Sequence, residues 1–258
     1  MPSYTLERSD RLVDAVGAAG GIVCLVGAGG KKSTIYQIVS RFAGRVAITS
    51  TVHTPPFRKR LGGETLIARS EDLEALVARA SGARVVAYAC PSDKKARLAG
   101  VEPGRVAAIH ESGGFDLTLV KADGARLRWL KAPGPHEPVL PPACSTLIPV
   151  VSIRAVAKPL DHLVAHRPEL VAELVGARLG DAITTDHVAR LLVHPRGGMK
   201  YADRVDRVVP VINMVDNAEQ KYTARLIADQ VLRLSPGLER VVLTCMVSQN
   251  PVIQVVTR

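Results

Sequence analysis

Gly21–Val26 (GIVCLV) runs directly into Gly27–Thr34 (GAGGKKST), and these fourteen residues decide the fold. An apolar strand, a glycine-rich turn, a lysine and a helix start form the context of a phosphate-binding loop. Glycines adopt positive φ and let the backbone approach phosphate oxygens without a Cβ in the way. The helix N-terminus presents unpaired N–H groups and the positive end of its dipole. The spacing is the short G-x-x-G-K form, with Lys31 directly after Gly30. The next position, which normally carries the Ser or Thr that holds Mg²⁺, is Lys32. Ser33 stands one residue later, about 100° further round the helix, and does not take that place. The turn therefore predicts phosphate contacts from Gly27, Ala28, Gly29, Gly30 and Lys31, assisted by Lys32, Ser33 and Thr34. It predicts no metal-ligand set.

Outward from the turn, short apolar runs alternate with helical stretches. Strands are expected at Gly21–Val26, Arg45–Thr51, Arg84–Cys90, Asp116–Ala122, Leu147–Ile153, Arg207–Asn213 and Arg240–Val247. Their nearly continuous apolar character fits strands buried on both faces of a parallel sheet. Helices are expected at Lys31–Ala43, Ser70–Ser81, Pro168–Gly176, Thr185–Val193 and Ala218–Leu234, with Ser70 as a capping residue. The alternation predicts an α/β fold of the phosphate-loop NTPase-like kind, a mainly parallel sheet with flanking helices. One domain over residues 1–258 is expected, its C-terminal half the more helical.

Composition narrows the function classes. Of 258 residues, 47% are apolar and 22% charged, as in globular domains. Lys plus Arg exceed Asp plus Glu by 34 − 24 = 10, which suits anionic partners. Aromatics at 3% exclude a base-stacking surface for single-stranded nucleic acid, and no nucleic-acid module is visible. Arg58-Lys59-Arg60 and Lys94-Lys95 read as solvated surface, and Trp129 as a packing residue. The four scattered cysteines, Cys24, Cys90, Cys144 and Cys245, have neither zinc-ligand nor disulfide-framework spacing. No apolar run approaches a membrane span, so a soluble, cytoplasmic protein is expected.

The second carboxylate of a phosphate-loop protein stands at the end of a neighbouring strand, where it orients Mg²⁺ or water. Asp123, just beyond the run Asp116–Ala122, fits that position, with Lys121 two residues before it. Thr51 ends the second strand near the same edge, with Thr49 and His53 beside it. The segment Lys131–Pro142 holds five of the seventeen prolines, too many for a helix or central strand. Its His136 and Glu137 read as a candidate acid–base pair in a stiff functional loop, the alternative being a plain linker. His166 and Arg167, before a helix-opening proline, are candidates for a further anion. Asn213-Met214-Val215-Asp216 is similar to the N-K-x-D base-recognition turn, with Met for Lys, which makes Asn213 and Asp216 candidates for a purine edge. They equally make an ordinary turn.

Together these blocks resemble the YqeC-like accessory proteins of selenium-dependent molybdenum hydroxylases. The resemblance rests on Gly27–Thr34, Thr49–His53, Ala122-Asp123-Gly124-Ala125, Leu130–Pro133 with His136–Val139, Lys158–Asp161, His166–Glu169, Leu191-Leu192 through Gly197, and Asn213 with Asp216. It implies a phosphate-loop protein that binds ATP or GTP and helps mature a molybdenum enzyme at the cofactor stage, as an NTPase or a nucleotidyl or phosphoryl transferase. Its implied partners are a nucleotide or phosphorylated pterin and a molybdenum hydroxylase or its maturation proteins. The family pattern has Thr at Lys32 and Glu at Lys121, so the two replacements make the metal side of the site three charges more positive. Lys32 and Lys121 favour the alternative, a non-catalytic carrier of an anionic cofactor, whereas Lys31, Asp123 and the His136-Glu137 loop favour the enzyme. A Mur-type ligase shares the short turn but needs an acceptor-binding domain for which this chain is short.

Overall fold

The computed structural model describes residues 11–58, 62–80 and 82–258. Lys59, Arg60 and Ser81 of the segments named above lie outside the described residues. Strand β1, Gly21–Gly27, is the axis of the sheet, and its interior residues are buried. On one side lie β5 (Leu117–Lys121), β2 (Val46–Ser50), β4 (Val85–Ala89) and the edge strand β3 (Glu64–Ile67). On the other lie β7 (Cys144–Ser152), β10 (Val211–Asn213), β11 (Arg240–Thr244) and β12 (Val252–Thr257), with β9 (Arg207–Val208) also paired to β7. All pairings in this ten-stranded sheet are parallel except β11 with β12. This is the expected α/β architecture, a mostly parallel sheet with flanking helices, consistent with a phosphate-loop NTPase-like fold.

From β1 the chain passes to β2 and the edge strand β3 and returns through β4 to β5 beside β1. It then crosses to β7 and runs outward to β12, so its direction across the sheet reverses about β1. Open α/β sheets bind ligands at such a point, outside the carboxyl ends of the strands. Helix α2 (Lys31–Arg41) starts at that edge, directly after β1. Helices α1 (Arg11–Ala15), α3 (Ser70–Arg79), α4 (Val106–Ser112), α5 (Pro168–Val175), α6 (Thr185–Val193) and α7 (Ala218–Leu234) complete the set. Helices α5, α6 and α7 pack Val171, Leu191, Leu192, Ile227 and Val231 into one buried cluster with Val151 and Ile212 of the sheet. A second cluster joins Ile35 and Ile38 of α2 to Leu25, Ile48 and Leu119.

Several expectations meet local corrections. The run Arg207–Asn213 breaks at Val209-Pro210, because proline lacks the N–H that a central ladder needs. The expected strand Arg240–Val247 stops at Thr244, and the one at Leu147 starts earlier, at Cys144. Ser70 does not cap α3. The cap position is Arg69, and the Ser70 hydroxyl instead accepts from the Glu102 amide at 3.0 Å. Lys131–Pro142 is no linker. Lys131 closes the short strand β6 (Leu130–Lys131), which pairs in parallel with β8 (Ala165–His166).

Leu119 sits at the centre of β5 with no exposed surface. Leu119→Ala is expected to lower the unfolding free energy by about 2–5 kcal/mol, the usual range for a buried Leu truncation. Urea denaturation should show this as a fall in midpoint at constant slope.

Candidate functional site

The turn after β1 is held open by its neighbours. Gly29 has φ 82°, and a Cβ there would lie 2.6 Å from Ser152. Gly30 has φ 131°, and its Cβ would lie 2.1 Å from the Asn213 amide nitrogen. No other residue fits either place. The amides of the turn divide into two groups. Gly27 N–H donates to Asp123 Oδ2 at 2.9 Å, Ala28 N–H to the Val150 carbonyl at 2.8 Å, and Gly29 N–H to the Arg128 carbonyl at 3.1 Å. Thr34 N–H returns to the Gly30 carbonyl at 2.9 Å, as does its hydroxyl at 3.2 Å. The first-turn amides of Lys31, Lys32 and Ser33 are left at the open helix end, where an anion fits.

Lys31 leaves this first turn with 6% exposure, its ammonium 2.8 Å from Asp123 Oδ1 and bonded to the Gly27 carbonyl. The contact to Oδ1 is a charge contact without hydrogen-bond alignment. Asp123 is 1% exposed, and its other oxygen also meets Lys131 Nζ at 2.8 Å. Lys131 in turn reaches Glu137 Oε2 at 2.8 Å and the Gly124 carbonyl at 2.5 Å. Arg167 holds the same Glu137 oxygen at 2.6 Å. The result is a chain of charges, Lys31–Asp123–Lys131–Glu137–Arg167, running from the turn into the proline-rich segment. Lys200 secures that segment from the far side through the Gly134 and Pro135 carbonyls, at 2.8 and 3.1 Å. Between turn and segment lies a cavity of about 20 Å³, lined by Gly27, Asp123, Lys131, Pro138, Leu192 and Lys200. It has room for about one water.

Titration follows from this wiring. Burial lowers the Lys31 pKa, against the opposing pull of Asp123. Lys121, 9% exposed, donates to the His53 carbonyl at 3.1 Å. Burial, then the charge of Lys31, brings its pKa down to about 7 despite Asp123. Burial would raise Glu137, but hydrogen bonds and charge from Lys131 and Arg167 outweigh it and hold the carboxyl at about 2. Burial, then the charges of Arg167 and Lys131, lowers His166 to about 4.

The other sequence candidates fall in distinct places. His136 is exposed, and the Glu137 carboxylate beside it faces Lys131 and Arg167 instead, so the two do not form an acid–base pair. Thr51 donates its hydroxyl to the Val139 carbonyl at 2.6 Å and ties β2 to the proline-rich segment. Thr49 donates to the Tyr88 carbonyl at 2.9 Å within the sheet. Asn213 is 2% exposed and turned toward the turn. Its amide donates to the Gly29 carbonyl at 2.8 Å, and its oxygen accepts from Thr244 Oγ1 at 3.1 Å and the Met246 amide at 3.2 Å. That use commits its oxygen and one of its two amide donors to the protein's own backbone and Thr244. Asp216 pairs with Arg154 at 2.6 Å and accepts from Cys245 Sγ at 3.1 Å, which keeps its pKa low. Sequence reasoning missed Lys131 as the common partner of both carboxylates. A lysine closing a strand before Ala132-Pro133 carries no signal of its own.

The family model described as "YqeC protein" matches residues 23–169, more than half of the chain. The chain belongs to the YqeC family. The matched stretch carries the turn, Asp123, Lys131, Glu137, His166 and Arg167. Lys200, Asn213 and Asp216 lie beyond it. The chain is also similar to "Uncharacterized protein YqeC" of Escherichia coli (strain K12), with 26% identity over 203 residues and 77% of each protein covered.

Asn213→Ala removes three buried hydrogen bonds and leaves their partners inside the protein. It is expected to cost about 2–3 kcal/mol, measurable by chemical denaturation. His166 binds a proton in the unfolded chain near its ordinary 6.5 but in the fold only near about 4. Its contribution to stability is present above pH 6.5 and is lost as pH falls toward 4, since the unfolded state binds more protons in that window. His166→Gln should flatten the slope of unfolding free energy against pH between 6.5 and 4.

Proposed function

We propose that this YqeC-family chain is a nucleotide-binding accessory protein that holds the phosphates of ATP or GTP with lysine ammonium groups in place of Mg²⁺. The observation that carries this reading is Lys31 at the open N-terminus of α2, with Lys121 beside it and, among the described residues, no carboxylate ion-paired to Lys121. An anion at that helix end gains the dipole, the free amides and charge from Lys31 and Lys121. In the present geometry Lys31 rests on Asp123. A bound phosphate competes for it, while Lys131 continues to neutralise the carboxylate.

The residues do not fit Mg²⁺, which takes oxygen ligands in octahedral geometry. The position after Lys31 is Lys32, whose ammonium donates to the Pro55 and Pro56 carbonyls, each at 3.2 Å. Both Asp123 oxygens face lysines, and Oδ2 also accepts from an amide. Among the described residues no group of three or more His, Cys, Asp or Glu converges to hold a metal. The same kind of pairing argues against Glu137 as a general base, because Lys131 and Arg167 hold its carboxylate in ion pairs. A carrier of a nucleotide or phosphorylated pterin, serving the cofactor stage of molybdenum hydroxylase maturation, fits better than an NTPase or nucleotidyl transferase. The maturation role comes from the family resemblance alone, as does the hydroxylase as partner.

Calorimetric titration with ATP, GTP and CTP, each in Mg²⁺ and in EDTA, tests the reading alongside a phosphate-release assay. Expected are binding of at least one nucleotide with no dependence on Mg²⁺, no phosphate released, and a loss of at least about tenfold in affinity for Lys31→Ala, the scale of one charge-assisted contact. Mg²⁺-dependent binding with turnover replaces the carrier with an enzyme. Absence of binding to all three overturns the nucleotide reading.

A further inference from the structure

The phosphate turn accounts for Lys31 and Lys121 but leaves a second group of cations unused. Lys32, on the first turn of α2, points away from the turn onto the Pro55 and Pro56 carbonyls. Its ammonium also lies 5.8 Å from the centre of the Tyr36 ring, and the Arg58 guanidinium lies 5.0 Å from the same ring. Arg97 comes from the loop after β4. Lys32 is pushed below the ordinary lysine range by burial and then by the charges of Arg58 and Arg97. No carboxylate opposes that push. Of the two acids in the same loop, Glu102 pairs with Arg105, and Asp93 makes no ion pair with any of these groups among the described residues.

The two arginines sit on a braced platform. Thr54 N–H donates to the Leu98 carbonyl at 3.0 Å, and Leu98 N–H returns to the Thr54 carbonyl at 2.8 Å. Val101 N–H donates to the Ser50 carbonyl at 2.8 Å. A Cβ on Gly100 would meet the Thr51 carbonyl carbon at 2.2 Å, so the loops after β2 and β4 lie flush. Lys121, at the end of β5 between β1 and β2, separates this platform from the turn. Like charges are thus gathered at one edge on braced backbone, with no carboxylate paired to them among the described residues. Such an arrangement is stable in the company of an anion.

We propose that Lys32, Arg58 and Arg97 form a second anion subsite, at the carboxyl ends of β2 and β4, for the phosphate monoester of a second ligand. The subsite rests on the nucleotide reading only for the identity of its neighbour at the turn. Together the two sites hold two phosphorylated molecules on either side of Lys121. The arginine guanidinium groups supply forked donors for phosphate oxygens, and Lys32 supplies a point charge from the helix. The class of second ligand is a small phosphorylated compound rather than a nucleic acid strand, since the platform offers one aromatic ring already covered by cations.

Calorimetry with ADP and inorganic pyrophosphate as probes tests it. The protein is saturated with ADP and then titrated with pyrophosphate. Expected is a second binding event that weakens at least about tenfold in the double variant Arg58→Ala with Arg97→Ala, while ADP affinity changes less than about threefold. Both arginines are exposed, so the variant is expected to fold, and its Tm should stay at that of the parent. Pyrophosphate that binds only by displacing ADP, or a second event indifferent to the double variant, overturns the subsite. If ADP fails to bind while pyrophosphate binding still depends on Arg58 and Arg97, the subsite stands and the nucleotide reading falls.

Discussion

A single buried carboxylate organises the binding edge of this protein. Asp123 receives the Gly27 amide, Lys31 and Lys131 at once. An ionised group at 1% exposure persists only with such compensation, because desolvation alone costs several kcal/mol. Each partner belongs to a different element: the end of β1, the start of α2, and β6 beneath the proline-rich segment. Asp123 therefore joins the phosphate turn to a stretch of chain that enters no central strand. Removing it would leave two buried ammonium groups facing each other across the gap.

The parts legible in the sequence are those where local chemistry and global fold agree. The strand, turn and helix at residues 21–34 stand where their residues place them, and Thr185–Val193 and Ala218–Leu234 match residue for residue. Strand β3 went unseen because Glu64-Thr-Leu-Ile67 is a short edge strand that is mostly exposed. Helix α4 went unseen because seven residues after Pro103-Gly104 give too few turns for a periodic signal. At the site, Asp123 beside the turn was legible from strand order. The inward orientation of Asn213 was not, since an Asn after a strand looks the same whether it meets a base or a backbone carbonyl.

The two lysines at this edge, Lys121 and Lys32, do not behave alike. Lys121 stays buried against Lys31 and donates to a carbonyl. Lys32 leans on two proline carbonyls and the ring of Tyr36. The separation of the two lysines is a property of side-chain direction on the first turn of a helix, which spacing alone does not reveal.

The contact of Asn213 with the turn has a consequence for ancestry. Gly30 lacks a Cβ because the Asn213 amide occupies that volume, and Asn213 in turn completes the Gly29 carbonyl. The two positions stand 183 residues apart in the chain, one inside the segment shared most clearly with the family and one outside it. Neither can drift alone. A chimera that joins the front of one relative to the back of another must carry a matched pair at these places. Divergence of the C-terminal half is thereby tethered to the chemistry of the N-terminal turn.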